Sequence, residues 1–125
     1  MFNEIESLSY HNKEVKFYTP TKKTAGRVKK IFRKEPITIV WMDNIKSDEV
    51  VIDIGANVGM YSLMSAVSRN ARVYAFEPEA NNYNLLCHNI RLNNVSDKVV
   101  FVKTRTLPMF LDSAMTIPLE FPSPR

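Results

Sequence analysis

The spacing of apolar and polar positions changes period several times along the chain. "EVKFY" (Glu14 to Tyr18) alternates charged and apolar residues, as a short strand does. From Thr21 to Lys34, Ala25, Val28, Ile31 and Phe32 recur at helical spacing, with lysines on the other face. Pro36 suits the first turn of a second helix whose apolar face is Ile37, Val40 and Trp41. The β-branched run "ITIVW" leaves a strand open there. "EVVIDI" (Glu49 to Ile54) reads as a buried strand, and Leu63, Ala66 and Val67 then mark a helix. "ARVYAFEP" (Ala71 to Pro78) is a second strand, ended by Pro78. A helix follows from about Glu79, with Tyr83, Leu86, Cys87 and Ile90 on one face. It stops near Asn93 and Asn94, where asparagine tolerates a left-handed helix end. "KVVFV" (Lys98 to Val102) is a third strand.

Strand, helix, strand, helix, strand requires parallel pairing through right-handed crossovers. The expected architecture is therefore α/β: one βαβαβ unit with three parallel strands, half of a doubly wound nucleotide-binding sheet, preceded by N-terminal helices. Three segments follow: 1–48, a strand and helical segment with a basic face; 49–103, the βαβαβ unit; and 104–125, an irregular tail. Four of the seven prolines fall between Pro108 and Pro124, so the tail does not read as another crossover. The strand order would be third, second, first. A fourth strand would pair with the first, and without it Val50 to Ile54 present an unpaired edge, open to self-association.

Composition narrows the class. A chain of 125 residues with 45% hydrophobic and 24% charged residues supports one domain with a modest core. No apolar run approaches the ~18 residues of a membrane span. The acidic start "MFNEIESL" lacks the order of a signal peptide. Cys87 is the only cysteine, so no internal disulfide forms, and a cytoplasmic setting is expected. Net charge is +4, and nine Lys or Arg against one acid, Glu14, lie between Lys13 and Lys34. The favoured reading is a solvated helix face, the sharper one a surface for an anionic substrate or nucleic acid. No zinc spacing or aromatic interleaving supports the latter, so nucleic acid is not expected.

The chemistry concentrates in "VVIDIGANVGMYS" (Val50 to Ser62). In open parallel sheets ligands sit beyond the carboxyl ends of the strands. Asp53 ends the first strand, Gly55 and Gly59 form the turn, and Glu77 ends the second strand, 24 residues after Asp53. Gly55 can adopt a positive φ and let a ligand approach the backbone. Gly59 lets the helix start close to the strand. Glu77 can accept hydrogen bonds from both hydroxyls of a ribose. Asp53 argues against phosphate, because a pyrophosphate loop needs N–H groups without a nearby anion. S-adenosyl-L-methionine fits: it offers a ribose, a cationic ammonium and sulfonium, and no phosphate.

"DIGANVGMYSL", "VYAFEPEANNYNLLCHNIRLNN" and "KEPITIVWMDNI" together resemble FkbM-type S-adenosylmethionine-dependent methyltransferases, from about Tyr18 to Val102. The resemblance implies a Rossmann-like class I methyltransferase fold, here incomplete, and O-methylation of a sugar or natural-product hydroxyl, hence a small-molecule or glycan acceptor. It further implies that Asp53, Gly55, Asn57 and Gly59 form the methionine-side loop, that Glu77 binds the ribose and that Pro78 shapes the adenine pocket. Nothing after Val102 matches the family's later strands. Truncation, a frameshift or alternative exon usage would each give such an ending. Displacement at a sulfonium needs alignment more than a protein nucleophile. No general base stands out, since His11 and His88 read as surface residues and Cys87 as a small core residue. The alternative is a non-catalytic interaction module acting through its sheet edge or basic face.

Overall fold

The computed structural model describes residues 4–104. It opens with a β-hairpin: β1 (Ile5–Tyr10) pairs antiparallel with β2 (Lys13–Tyr18), Leu8 opposite Val15. His11 and Asn12 turn the corner with φ of 48° and 62°, the two left-handed residues of a type I′ hairpin. Leu8, Tyr10, Val15 and Phe17 point inward and are buried. β1 was not expected, because only two of its inward positions are apolar. Glu6 takes the third and lies 3.4 Å from the Lys29 ammonium. The chain before the βαβαβ unit is thus a hairpin and two helices rather than helices preceded by one short strand.

The first helix, α1 (Lys22–Lys34), forms as its spacing predicts. Thr21 caps it, its hydroxyl accepting from the Thr24 N–H at 3.1 Å. Ala25, Val28 and Ile31 are buried against the hairpin, while Phe32 stays half-exposed beside Tyr10. Pro36 begins α2 (Pro36–Asp43), so helix wins over strand. The expected apolar face of α2 is corrected: Ile37 is 85% exposed and Val40 and Trp41 are also exposed, whereas Met42 is buried and Ile39 partly so. One residue, Glu35, joins the two helices, and that tight corner fixes the rotation of α2.

The parallel sheet has the order β3-β4-β5 among the described residues, with β3 (Val50–Ile54), β4 (Arg72–Glu77) and β5 (Val99–Lys103). Val51 pairs with Val73 and Asp53 with Ala75. β4 is central, and Val73 to Glu77 are all buried. The expectation of a buried β3 is corrected. Val51 is buried, but Val50, Ile52 and Ile54 are more than half exposed on the other face of this edge strand. Between β3 and β4, α3 (Met60–Leu63) widens into a π-helical turn over Met64–Ser68. Between β4 and β5 lies α4 (Ala80–Leu92), capped by Glu79 and ended at Asn93, with Asn94 at φ 55° as expected of a left-handed helix end.

The layers stack in a fixed order. α3 and α4 cover one face of the sheet, the hairpin packs on α4 and the π turn, and α1 packs on the hairpin. One hydrophobic cluster runs through all of them, from Phe17 and Ile31 to Leu63, Met64, Val73, Leu86 and Ile90. Asn89 stitches the layers. Fully buried, it accepts from the Tyr18 N–H at 2.8 Å and donates to the Val58 carbonyl at 2.8 Å. Asn93 adds a reciprocal pair with the Lys16 backbone at 2.9 and 2.8 Å. These ties set α1 above the loop that follows β3. No described helix is long and apolar enough to cross a membrane. The tail expected over 104–125 lies, from residue 105 on, outside the described residues.

Candidate cofactor site

The loop after β3 holds three left-handed residues, Gly55 at φ 75°, Asn57 at φ 59° and Gly59 at φ 95°. The Gly55 and Ala56 N–H groups both donate to the Phe76 carbonyl, at 2.8 and 2.9 Å, which pins the loop across the tip of β4. The two glycines do different work. A Cβ on Gly55 would meet nothing within 4 Å, so the backbone there faces open space. A Cβ on Gly59 would lie 2.6 Å from Leu86 Cδ1. The close approach that requires glycine is therefore to α4, not to the strand.

The two acids sit at the ends of adjacent strands. Glu77 is 5% exposed and is held at both oxygens: Oε1 accepts from the Asn57 N–H at 2.7 Å and Oε2 from the Glu79 N–H at 2.9 Å. A carboxylate oxygen has two acceptor sites, so each keeps one for a ligand. Asp53 is half-buried, and its Oδ2 accepts from the Ser62 hydroxyl at 2.6 Å. Burial pushes the Asp53 carboxyl above its ordinary range against the hydrogen bonds from Ser62, and the charge on Glu77 adds to the rise. Tyr61, also half-buried, has its hydroxyl raised by burial and then by the carboxylates of Glu35 and Asp53. Pro78 follows Glu77 at the tip of β4, half-buried.

A cavity of about 590 Å³ opens at this loop. One wall is Gly55, Ala56, Asn57, Val58, Met60 and Tyr61; the facing wall is α1, with Lys22, Lys23, Arg27, Lys30 and Lys34, and one acid, Glu35, at its C-terminal end. Gly55 and Asn57 thus line it, and Asp53, Gly59, Glu77 and Pro78 do not. The basic run is exposed, as the favoured reading of a solvated face expects, and five of its cations also border the glycine-loop cavity. Tyr61 and Ser62 were missed. Their signal was position alone: residues two and three past Gly59 fall in the first turn of α3, next to the strand end.

Strand, acid, glycine loop, helix, strand, acid on a parallel sheet defines a Rossmann-like nucleoside-binding unit of the class that uses S-adenosyl-L-methionine. Residues 15–113 match the TRM5/TYW2 methyltransferase domain, and the chain belongs to that family. It is similar to methyltransferase sdnD of Sordaria araneosa, 33% identical over 79 residues, which are 62% of this chain and 29% of that protein. It is also similar to the tRNA(Phe) (4-demethylwyosine(37)-C(7)) aminocarboxypropyltransferase of Pyrococcus horikoshii, 41% identical over 54 residues, 43% of this chain and 19% of that protein. The crystal structure of P. horikoshii TYW2 in complex with MeSAdo superposes with a TM-score of 0.53 at 25% identity, covering 82% of this chain and 36% of that one. The matches thus span less than a third of either curated relative.

The methyltransferase class, the Rossmann-like fold and the cofactor stand as the sequence implied. The family is TRM5/TYW2 rather than specifically FkbM-type. The partner expectation is corrected. A small-molecule or glycan acceptor with no nucleic acid does not fit a family whose P. horikoshii relative is named for tRNA(Phe). The physical reason it was missed is the docking of α1, which no local pattern shows.

Proposed function

We propose that this chain contributes the cofactor-binding portion of an S-adenosylmethionine-dependent transferase that modifies RNA. The observation that carries the reading is the cavity in which the glycine loop faces five cations of α1. Such a wall attracts a phosphate backbone. The FkbM-type expectation of O-methylation on a sugar or natural product is not carried forward, since neither the family nor the relatives support it.

The residues present fit the cofactor. Gly55 leaves its backbone open to a ligand, and Glu77 is pre-set by two backbone donors with acceptor sites left for ribose hydroxyls. Asp53 supplies a negative charge beside the loop for an ammonium or sulfonium. Asn57 and Gly59 shape the loop, and Pro78 borders the adenine side. When bound, S-adenosylmethionine supplies an electrophilic carbon on a sulfonium. The segment 1–48 then forms the acceptor wall and 49–103 the cofactor unit. The setting is the cytoplasm, where the single thiol of Cys87 stays free. The transferred group is methyl by the family's name, with aminocarboxypropyl as the second reading from the Pyrococcus relative.

Titrating a labelled tRNA with the chain at rising salt tests the acceptor. Affinity should fall steeply with salt. Arg27→Glu with Lys30→Glu should weaken binding and flatten the log–log slope by about 0.7–0.9 for each phosphate the variant no longer neutralises. Absence of binding at low salt, or a slope unchanged in the double variant, would refute it.

A further inference from the structure

A second cleft, about 470 Å³, lies between the first turn of α1 and the first turns of α4. It meets the glycine-loop cavity at Lys23, Arg27, Asn57 and Val58, which line both. Its chemistry differs. On the α4 side are Asn81, Asn82, Asn84 and His88, with Leu85 between them, and no carboxylate lines it. Asn84 and His88 are four apart on α4 and so share one face. Glu79 uses the backbone N–H groups of Asn81 and Asn82, while the side-chain amides of Asn81, Asn82 and Asn84 make no hydrogen bond among the described residues. The His88 ring is held edge-on to Tyr18, centroids 6.2 Å apart at 80°.

Side-chain amides both donate and accept, so they suit a ligand edge that does both. A bare phosphate would use only half of that capacity, and an aliphatic group none. An unpaired nucleobase uses both, and it also stacks on histidine. The cations at the junction suit the phosphate that links one nucleotide to the next, and the volume falls within the roughly 300–1,000 Å³ of small-ligand sites.

We propose that this cleft is a nucleotide subsite. It takes one unpaired nucleotide of the acceptor RNA, adjacent to the one presented at the glycine loop, with the phosphate on Lys23 and Arg27 and the base against Asn84 and His88. The proposal rests on the RNA reading above. Asn84 and His88 are exposed, so replacing them leaves the core intact.

Fluorescence anisotropy with the full chain and labelled eight-nucleotide homopolymers of A, C and U separates the two ideas. The double variant Asn84→Ala with His88→Ala should bind the preferred homopolymer about tenfold more weakly, lose the preference among the three, and keep the wild-type salt slope. Arg27→Glu should weaken all three alike and flatten the slope. If wild type binds RNA and the double variant matches it in affinity and preference, the subsite is overturned while the RNA reading stands. If wild type binds none of the three and no tRNA, both fail together.

Discussion

Replacing Gly59 by alanine tests whether the loop geometry is a packing requirement. The new methyl would sit 2.6 Å from Leu86 Cδ1, about an ångström inside ordinary contact. A leucine tip can often swing away, but Leu86 is fully buried in the core cluster, where a close-packed interior resists the shift. Overpacking of this kind costs about 1–3 kcal/mol. The left-handed backbone at φ 95° adds about 1–2 kcal/mol for a residue with a Cβ. The sum, about 2–5 kcal/mol, is a large share of the ~5–15 kcal/mol that holds a typical domain together. Gly55→Ala is the internal control. Its φ of 75° carries similar backbone strain, yet nothing lies within 4 Å of the added methyl, so only the ~1–2 kcal/mol should appear. Urea unfolding followed by circular dichroism measures both. Equal losses in the two variants, or a Gly59→Ala protein within about 0.5 kcal/mol of wild type, would refute the packing argument.

Other residues give independent tests. Asn89→Ala strands the Tyr18 N–H and the Val58 carbonyl and should cost about 2–4 kcal/mol in urea unfolding; a loss under about 1 kcal/mol would remove Asn89 as the tie between hairpin and loop. Asp53 has its folded-state carboxyl raised, so its ionised form costs stability at neutral pH, and that cost fades as pH falls through the folded value toward the ordinary 3.8. Asp53→Asn should therefore gain on wild type most at about pH 7 and least near pH 4, while binding cofactor more weakly; a pH-independent difference would contradict this. For the transferred group, S-adenosylmethionine labelled on the methyl should mark tRNA and the carboxyl label should not. Carboxyl label in the RNA would favour aminocarboxypropyl transfer instead.

The βαβαβ unit was legible because its signals are local. The switches between strand and helical spacing fall beside residues that stop an element, such as Pro78 after β4 and Asn93 after α4, and the strand order follows from topology alone. The placement of Asp53, Gly55 and Glu77 was legible for the same reason, since a strand end places its acid without help from distant chain. What stayed hidden depends on long-range docking. The phase of α2 is set by the corner at Glu35, which turns Ile37 outward against its own apolarity. β1 pairs through backbone and places Glu6 inward, so its pattern is too polar to read. The basic wall of the cavity exists because Asn89 and Asn93 hold the hairpin from 71 and 77 residues away, bringing α1 over the glycine loop. A helical wheel shows that one face of α1 is cationic, but not what that face meets.

Calorimetric titration of S-adenosylmethionine into the wild-type chain and into Glu77→Gln tests the central claim most directly, with circular dichroism confirming that both are folded. The account predicts saturable binding to wild type and at least about tenfold weaker binding to the variant, since an amide has one acceptor oxygen where the carboxylate has two, and both oxygens of Glu77 already take a backbone N–H. A folded wild-type chain that takes up no cofactor, or a variant that binds it equally well, would contradict the assignment of this loop and Glu77 as the cofactor site.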